Sequence, residues 1–355
     1  MKPSLVLTFS FPPLARLASC VMLACTLMTS TASAAFINLG PAGDFNVYVV
    51  NDNTQNGSDA QGKVAVGGNA NFGSFTVASQ MPNNTDNLIV GGNLTNSGTT
   101  FHGGLFVNGN VNWASPTILG KATVNGDATF TGGGTLNGPV SVAGTYNAPG
   151  YYPPNQNVSH TPTPMPFSFS DVSNYLVSQA QYLASLPANG TTNISFNQVH
   201  LTANNPADNY VSFNVTGAQM AAAAGAGLFI TAPAGSTVVV NISGTADSMT
   251  NMGISLTGVD KQHVLYNFYE ATSLTLSGIG VMGSILAPQA NVNFTGAIDG
   301  TMIAKNLTGP GESHNFLFQG NLPLLPVPEP STVVLALCGV VGLAMLGISR
   351  KRRQS

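Results

Sequence analysis

Glu312 and His314 are the pair in this chain whose types and spacing best suit acid–base chemistry. Alternate positions on a strand project to one side, so a carboxylate and an imidazole would share a face, with His263 as a third participant. Such a group could hold a metal ion or move a proton. It could also be a hydrogen-bonded pair that secures the last coil, and the sequence favours that plainer reading. Asp44, Asp52 and Asp59 are the other candidates. Carboxylates this close in sequence suit Ca2+, which takes oxygen ligands, although Asx-rich loops are more often turns. His102, His160 and His200 are isolated. Nucleophile-elbow and phosphate-loop motifs are absent, because the Gly-Gly-Asn segments lack the required Ser or Lys-Ser/Thr. The sequence therefore assigns no catalytic residue, no metal ligand and no cofactor beyond the Ca2+ option.

Charge narrows the field further. Only 6% of residues are charged, against roughly 25% in an average globular domain. No arginine occurs between Leu17 and Ser349, and Lys63, Lys121, Lys261 and Lys305 face twelve carboxylates from Asp44 to Glu312, a net charge of −8. That surface excludes nucleic acid, whose phosphates need Lys and Arg to displace counterions. A polysaccharide-active enzyme is the weaker alternative: lyases on acidic sugars need a cation beside the substrate carboxylate, and hydrolases need two facing carboxylates. The three cysteines, Cys20, Cys25 and Cys338, fall outside residues 35–327. That span has no disulfide and no thiolate site, so burial and backbone pairing must stabilise it.

The elements that would position these groups repeat. Val66-Gly67-Gly68-Asn69-Ala70-Asn71-Phe72 returns as Val90-Gly91-Gly92-Asn93, Val107-Asn108-Gly109-Asn110 and Val124-Asn125-Gly126-Asp127, with a weaker copy from Val142 to Tyr146. The first step contains an inserted loop; the later ones are 17 to 18 residues. That length divides into three short strands and three bends, one coil of a right-handed parallel β-helix in an all-β chain. The Gly is expected to supply a tight bend or positive φ. Asn69, Asn93, Asn110 and Asp127 should stack as a ladder from coil to coil. Phe72, Trp113, Phe130 and Tyr146 should form an inward aromatic row rather than a sugar-binding one.

The pattern breaks in a Pro-rich connector, residues 149–166. A flanking amphipathic helix follows over 171–186, with Val172, Leu176, Gln179 and Leu183 on one face. Gly283 to Pro288 and Gly300 to Lys305 repeat again after 17 residues, so both halves belong to one solenoid.

The two ends of the chain look like sorting signals. Lys2 and Arg16 precede the apolar stretch Leu17–Leu27, and Ala32-Ser33-Ala34 forms an A-x-A cleavage site. Residues 1–34 thus read as a secretory signal peptide that delivers the chain to the Sec translocon. At the other end, Pro328-Glu329-Pro330 precedes an uncharged run, 332–348, and then Arg350, Lys351, Arg352 and Arg353. The run is long enough for a short transmembrane helix, and the basic cluster would keep its far end in the cytoplasm. This arrangement over 328–355 resembles the PEP-CTERM sorting signal of Gram-negative bacteria. The resemblance implies processing by an exosortase, a transient membrane anchor, and a mature form at the cell surface or in the extracellular matrix.

A second resemblance covers Phe45 to Leu322. Phe45-Asn46-Val47-Tyr48, Gly62 to Gly68, Tyr266 to Ala271, Gly283 to Ala290, Gly300 to Lys305 and Glu312-Ser313-His314 are similar to the choice-of-anchor A family. That resemblance implies an adhesive domain with no catalytic residues to carry over. The expected function is a non-enzymatic, exported, adhesin-like protein of the biofilm matrix or envelope, with exopolysaccharide or a surface glycan as partner. Ice binding is the alternative; it would need Thr at one register in coil after coil, and no unbroken Thr-x-Thr column follows the repeat.

Overall fold

Each repeat folds into a coil of three short strands, and equivalent strands pair in parallel. The computed structural model describes residues 37–150, 152–153 and 157–326. The expected signal peptide with Ala32 and Ala34, the motif Pro328, Glu329 and Pro330, the span 332–348 and the cluster Arg350 to Arg353 all lie outside the described residues. Among the described residues, no helix is long and apolar enough to cross a membrane.

The first face comprises Val47–Val49, Val64–Val66, Asp86–Val90, Gly104–Val107, Ala122–Val124 and Val140–Val142. Its strands read as apolar runs because both sides are covered, the usual pattern of a doubly buried parallel sheet. The second face runs from Asn53–Asn56 to Tyr146–Asn147, and its residues alternate buried and exposed. The third is built from two-residue strands, Asp59–Ala60, Thr76–Val77, Thr100–Phe101, Thr117–Ile118 and Thr135–Leu136.

At the first corner the repeat glycines lie in the expected bend, without positive φ. Gly92, Gly109 and Gly126 do not adopt positive φ; a Cβ on Gly109 or Gly126 would lie 2.5 or 2.6 Å from the carbonyl oxygen of the glycine one coil before. They permit close stacking of backbone. Positive φ falls instead at the bend between the second and third faces, on Ser74, Gly98, Ser115 and Gly132.

The coils do not stack in chain order. Val47–Val49 lies between Val64–Val66 on one side and Met302–Thr308 on the other. Beyond Met302–Thr308 the first face continues through Ser284–Phe294, Val264–Asn267, Thr237–Ser243 and Tyr210–Thr216. The chain's last coils thus sit beneath its first, and one core runs through both halves.

A strap along the first face connects the two ends. The segment expected as a Pro-rich connector first closes the core, burying Tyr152 and Val158. It then runs back across the coils, with Thr163 exchanging two hydrogen bonds with Asn125. Helix α1, Phe169–Ser185, continues the strap and starts two residues before the expected boundary, because Ser168 rather than Ser170 is its N-cap. Val172, Leu176, Ala180 and Leu183 bury against Leu265, Leu286, Ile303 and Tyr48. At the far end a hairpin, Gly190–Ser195 with Gln198–Ala203, closes the stack. A short helix α2, Gly217–Ala222, opens with a Thr216–Gln219 capping box.

Candidate functional site

The Glu312/His314 pair sits where the two halves meet. Strand Glu312–His314 pairs with Ala297–Asp299 of its own half and joins Asp59–Ala60 of the other through a single register pair, Ala60 with Ser313. His314 Nδ1 contacts Asp299 Oδ1 at 2.5 Å and its Nε2 contacts Glu312 Oε1 at 3.1 Å. Lys261 Nζ lies 2.6 Å from Asp299 Oδ2 and 3.4 Å from the centroid of Phe316.

Burial alone lowers the His314 pKa, but the hydrogen bonds and charges of Asp299 and Glu312 outweigh it and raise the imidazole above its ordinary value. Burial raises Asp299 too, yet Lys261 and His314 win and hold it below the usual carboxylate range. Asp59 is pushed up by burial and by neighbouring Glu312, against the pull of Ser79 and His314. Lys261, Asp299, His314 and Glu312 are thus linked in one clasp within the C-terminal half, at the edge of the seam, and Asp59 on the other side feels it through charge alone. His263 is not part of it; its Nδ1 pairs with Asp260 at 2.9 Å. Among the described residues no group of three or more His, Cys, Asp or Glu is placed to hold a metal ion.

The three candidate calcium ligands are dispersed. Asp44 ends the 3-10 turn Gly40–Asp44, Asp59 accepts a hydrogen bond from Ser79, and Asp52 belongs to the amide ladder. In that ladder each side-chain oxygen accepts the backbone N–H one coil on. Asn93 donates to Asn69 at 3.0 Å, Asn110 to Asn93 at 2.8 Å, Asp127 to Asn110 at 2.8 Å and Thr145 to Asp127 at 2.7 Å. It extends across the seam, since Asn69 donates to Asp52 and Asp52 to Asn306. The ladder fixes coil register at the corner and leaves little side-chain capacity for a ligand.

The aromatics are core. Phe72, Trp113 and Phe130 are buried in one inward column, which Asn96 interrupts. Phe101 from the third face fills that gap, with its centroid 4.5 Å from that of Trp113. Tyr146 is out of register, paired with Ala128, and meets Phe130 edge-on.

What remains open to solvent is two polar columns. On the second face the outward residues in successive strands are Ser248, Thr275, Asn293, Thr308, Thr54, Asn71, Thr95, Asn112, Thr129 and Asn147. At the interstrand spacing of parallel sheets, ten strands span about 43 Å. No member is charged or large. The second column, on the third face, is Thr76, Thr100, Thr117 and Thr135, one threonine per coil. Thr76, Thr100 and Thr117, together with Ser74, Gly98 and Ser115, line a shallow groove. An unbroken Thr column therefore exists where the sequence suggested none. The missed signal is a threonine ten or eleven residues after each repeat valine, because the strands read Thr-apolar rather than Thr-x-Thr.

The chain is thus a parallel solenoid with one side sheathed by a strap and the others presenting hydroxyl and amide columns. The chain belongs to the family described as "Putative Ice-binding-like adhesive domain", whose model matches residues 38–315. An ice-binding protein from an Antarctic Flavobacteriaceae bacterium is similar over 89% of this chain and 86% of its own, at 15% identity and a TM-score of 0.27. No curated protein matches.

Proposed function

We propose that this chain is a non-enzymatic, exported adhesin-like protein whose second face lies along a hydroxyl-rich surface, a polysaccharide of the envelope or biofilm matrix. The ten-residue Ser/Thr/Asn column carries this reading. Short hydroxyl and amide side chains both donate and accept, and a regular row of them matches a polymer that repeats hydroxyls. Family membership and the absence of arginine from the solenoid support it. The test is binding of the full chain to exopolysaccharide of the producing cells; absence of binding together with glycan cleavage would overturn the reading.

The sorting signals complete the proposal: Sec export with cleavage after Ala34, then exosortase handling at Pro328-Glu329-Pro330. Replacing those three residues by alanine should leave the protein in the membrane. Normal release into the medium would refute that route.

Ice is the second reading, favoured by one observation, the column Thr76, Thr100, Thr117 and Thr135. Threonines repeated at the strand spacing would order water in a lattice. Thermal hysteresis measured on the full chain decides it, and a Thr100→Tyr change should remove any activity seen.

A further inference from the structure

A different part of the molecule has the features of a small-ligand site. On the outward side of the first face, Asn214, Asn241 and Asn267 occupy one register position in three successive strands. Two of them tie down the end of α1. Asn267 Nδ2 donates to the carbonyl of Ala180 and to Asn241 Oδ1, both at 2.8 Å. Asn241 Nδ2 donates to the carbonyl of Leu183 at 3.2 Å and to Asn214 Oδ1 at 3.4 Å.

Asn214 ends this row, because Tyr210–Thr216 is the last strand of the sheet, and the chain that caps its outer side, Asn189 to Thr192, bonds to its backbone and not to the Asn214 side chain. The Asn214 Nδ2 group has no partner among the described residues. Beside it opens a cleft of about 290 Å3 lined by Asn214, Thr216, Gln219, Ser243 and Tyr269, with Ala184 of α1 at its edge. Gln219 Oε1 is committed to the Thr216 N–H, which leaves its amide N–H2 free.

We propose that this cleft binds one neutral pyranose unit of an uncharged glycan. Amide N–H groups and hydroxyls supply donors and acceptors for sugar hydroxyls, and the Tyr269 ring supplies an apolar face for sugar C–H groups. No cation lines the cleft, and Glu270 adjoins Tyr269, so an acidic sugar gains no counter-charge there and meets a carboxylate instead. The site is separate from the second-face column and stands or falls independently of it.

The test titrates the full chain with methyl glucoside, methyl galactoside, methyl mannoside and N-acetylglucosamine, with glucuronate as the charged control, following amide and side-chain resonances. The expected result is that at least one neutral sugar binds with a Kd of about 1 mM and glucuronate at least about tenfold more weakly. Tyr269→Ala and Asn214→Leu should each weaken binding about tenfold or more, with unfolding temperature checked for both. Tyr269→Phe, which keeps the ring, should retain most of the affinity and guards against misfolding of the alanine variant. The proposal is overturned if none of the four neutral sugars shifts Asn214 or Tyr269, if glucuronate binds as well, or if a folded Tyr269→Ala protein binds unchanged. Polymer binding by the second face should survive both cleft variants, so the two readings fail separately.

Discussion

Tyr48 and Ile303 lie side by side in register on neighbouring parallel strands, although nearly the whole domain separates them in sequence. Tyr48 is fully buried and packs against Phe167 and Phe169 of the strap. It therefore joins three parts at once: the first coil, the last coil and the segment that runs between the ends.

Removing that side chain should open the seam. Tyr48→Ala is expected to cost about 3–5 kcal/mol, the usual range for emptying a buried aromatic site. Hydrogen exchange should then speed up in both Met302–Thr308 and Val64–Val66. Tyr48→Phe should be neutral or stabilising, because the buried hydroxyl has no hydrogen-bond partner among the described residues. Protection lost on one side of the seam alone would argue against a shared core.

The clasp at His314 makes stability depend on pH. A base whose folded pKa lies above its ordinary 6.5 contributes stability that is fully present below that value and disappears as pH rises through the folded one. Asp299 has the opposite sign: its lowered pKa adds stability above 3.8 that is lost as pH falls through the folded value. Asp59, raised by burial and Glu312, also favours the protonated fold and so loses its contribution as pH climbs. Stability should peak in mildly acidic solution and decline toward about pH 8. His314→Gln should flatten the decline. Thermal unfolding across pH measures it, and an unchanged slope in the variant would show that the clasp does not couple to folding.

Asp247 should be a site where substitution stabilises. It occupies an inward register position, pairing with Leu274, and both carboxylate oxygens are buried without a partner among the described residues. Burial first, and then Glu270, push its carboxyl above 3.8. A raised acid supports the fold only while protonated, so Asp247→Asn should unfold at higher temperature than wild type at neutral pH. The margin should shrink as pH approaches about 4. A lower unfolding temperature for the variant at neutral pH would mean that the carboxylate has a partner after all.

The N-terminal coils were legible in the sequence because their length is nearly constant: Val107 to Val124 is one step, and the ladder residues Asn93, Asn110 and Asp127 keep it. The C-terminal coils were harder. Val211 pairs with Val238 and Val238 with Val264, over steps longer than the repeat, since the excursion through α2 is inserted in one of them. The stacking of Val47 on Met302 is a contact between chain ends that no local pattern records. For the site, Glu312 and His314 were visible as a pair, but their partners Asp299 and Lys261 come from other elements. Asn214, Asn241 and Asn267 are one column in space and three unrelated residues in sequence.

Adhesion through the second face is the central claim, and charge on that face tests it most directly. Asn112 and Thr95 are exposed neighbours at the middle of the N-terminal coils, so lysines there should leave the fold intact while breaking the uncharged row. The measurement is retention of the full chain on immobilised exopolysaccharide of the producing cells, wild type against the double variant Thr95→Lys, Asn112→Lys. The expected result is at least about a tenfold loss, corresponding to roughly 1.4 kcal/mol, with unfolding temperature unchanged. Equal retention of the two proteins would contradict the claim.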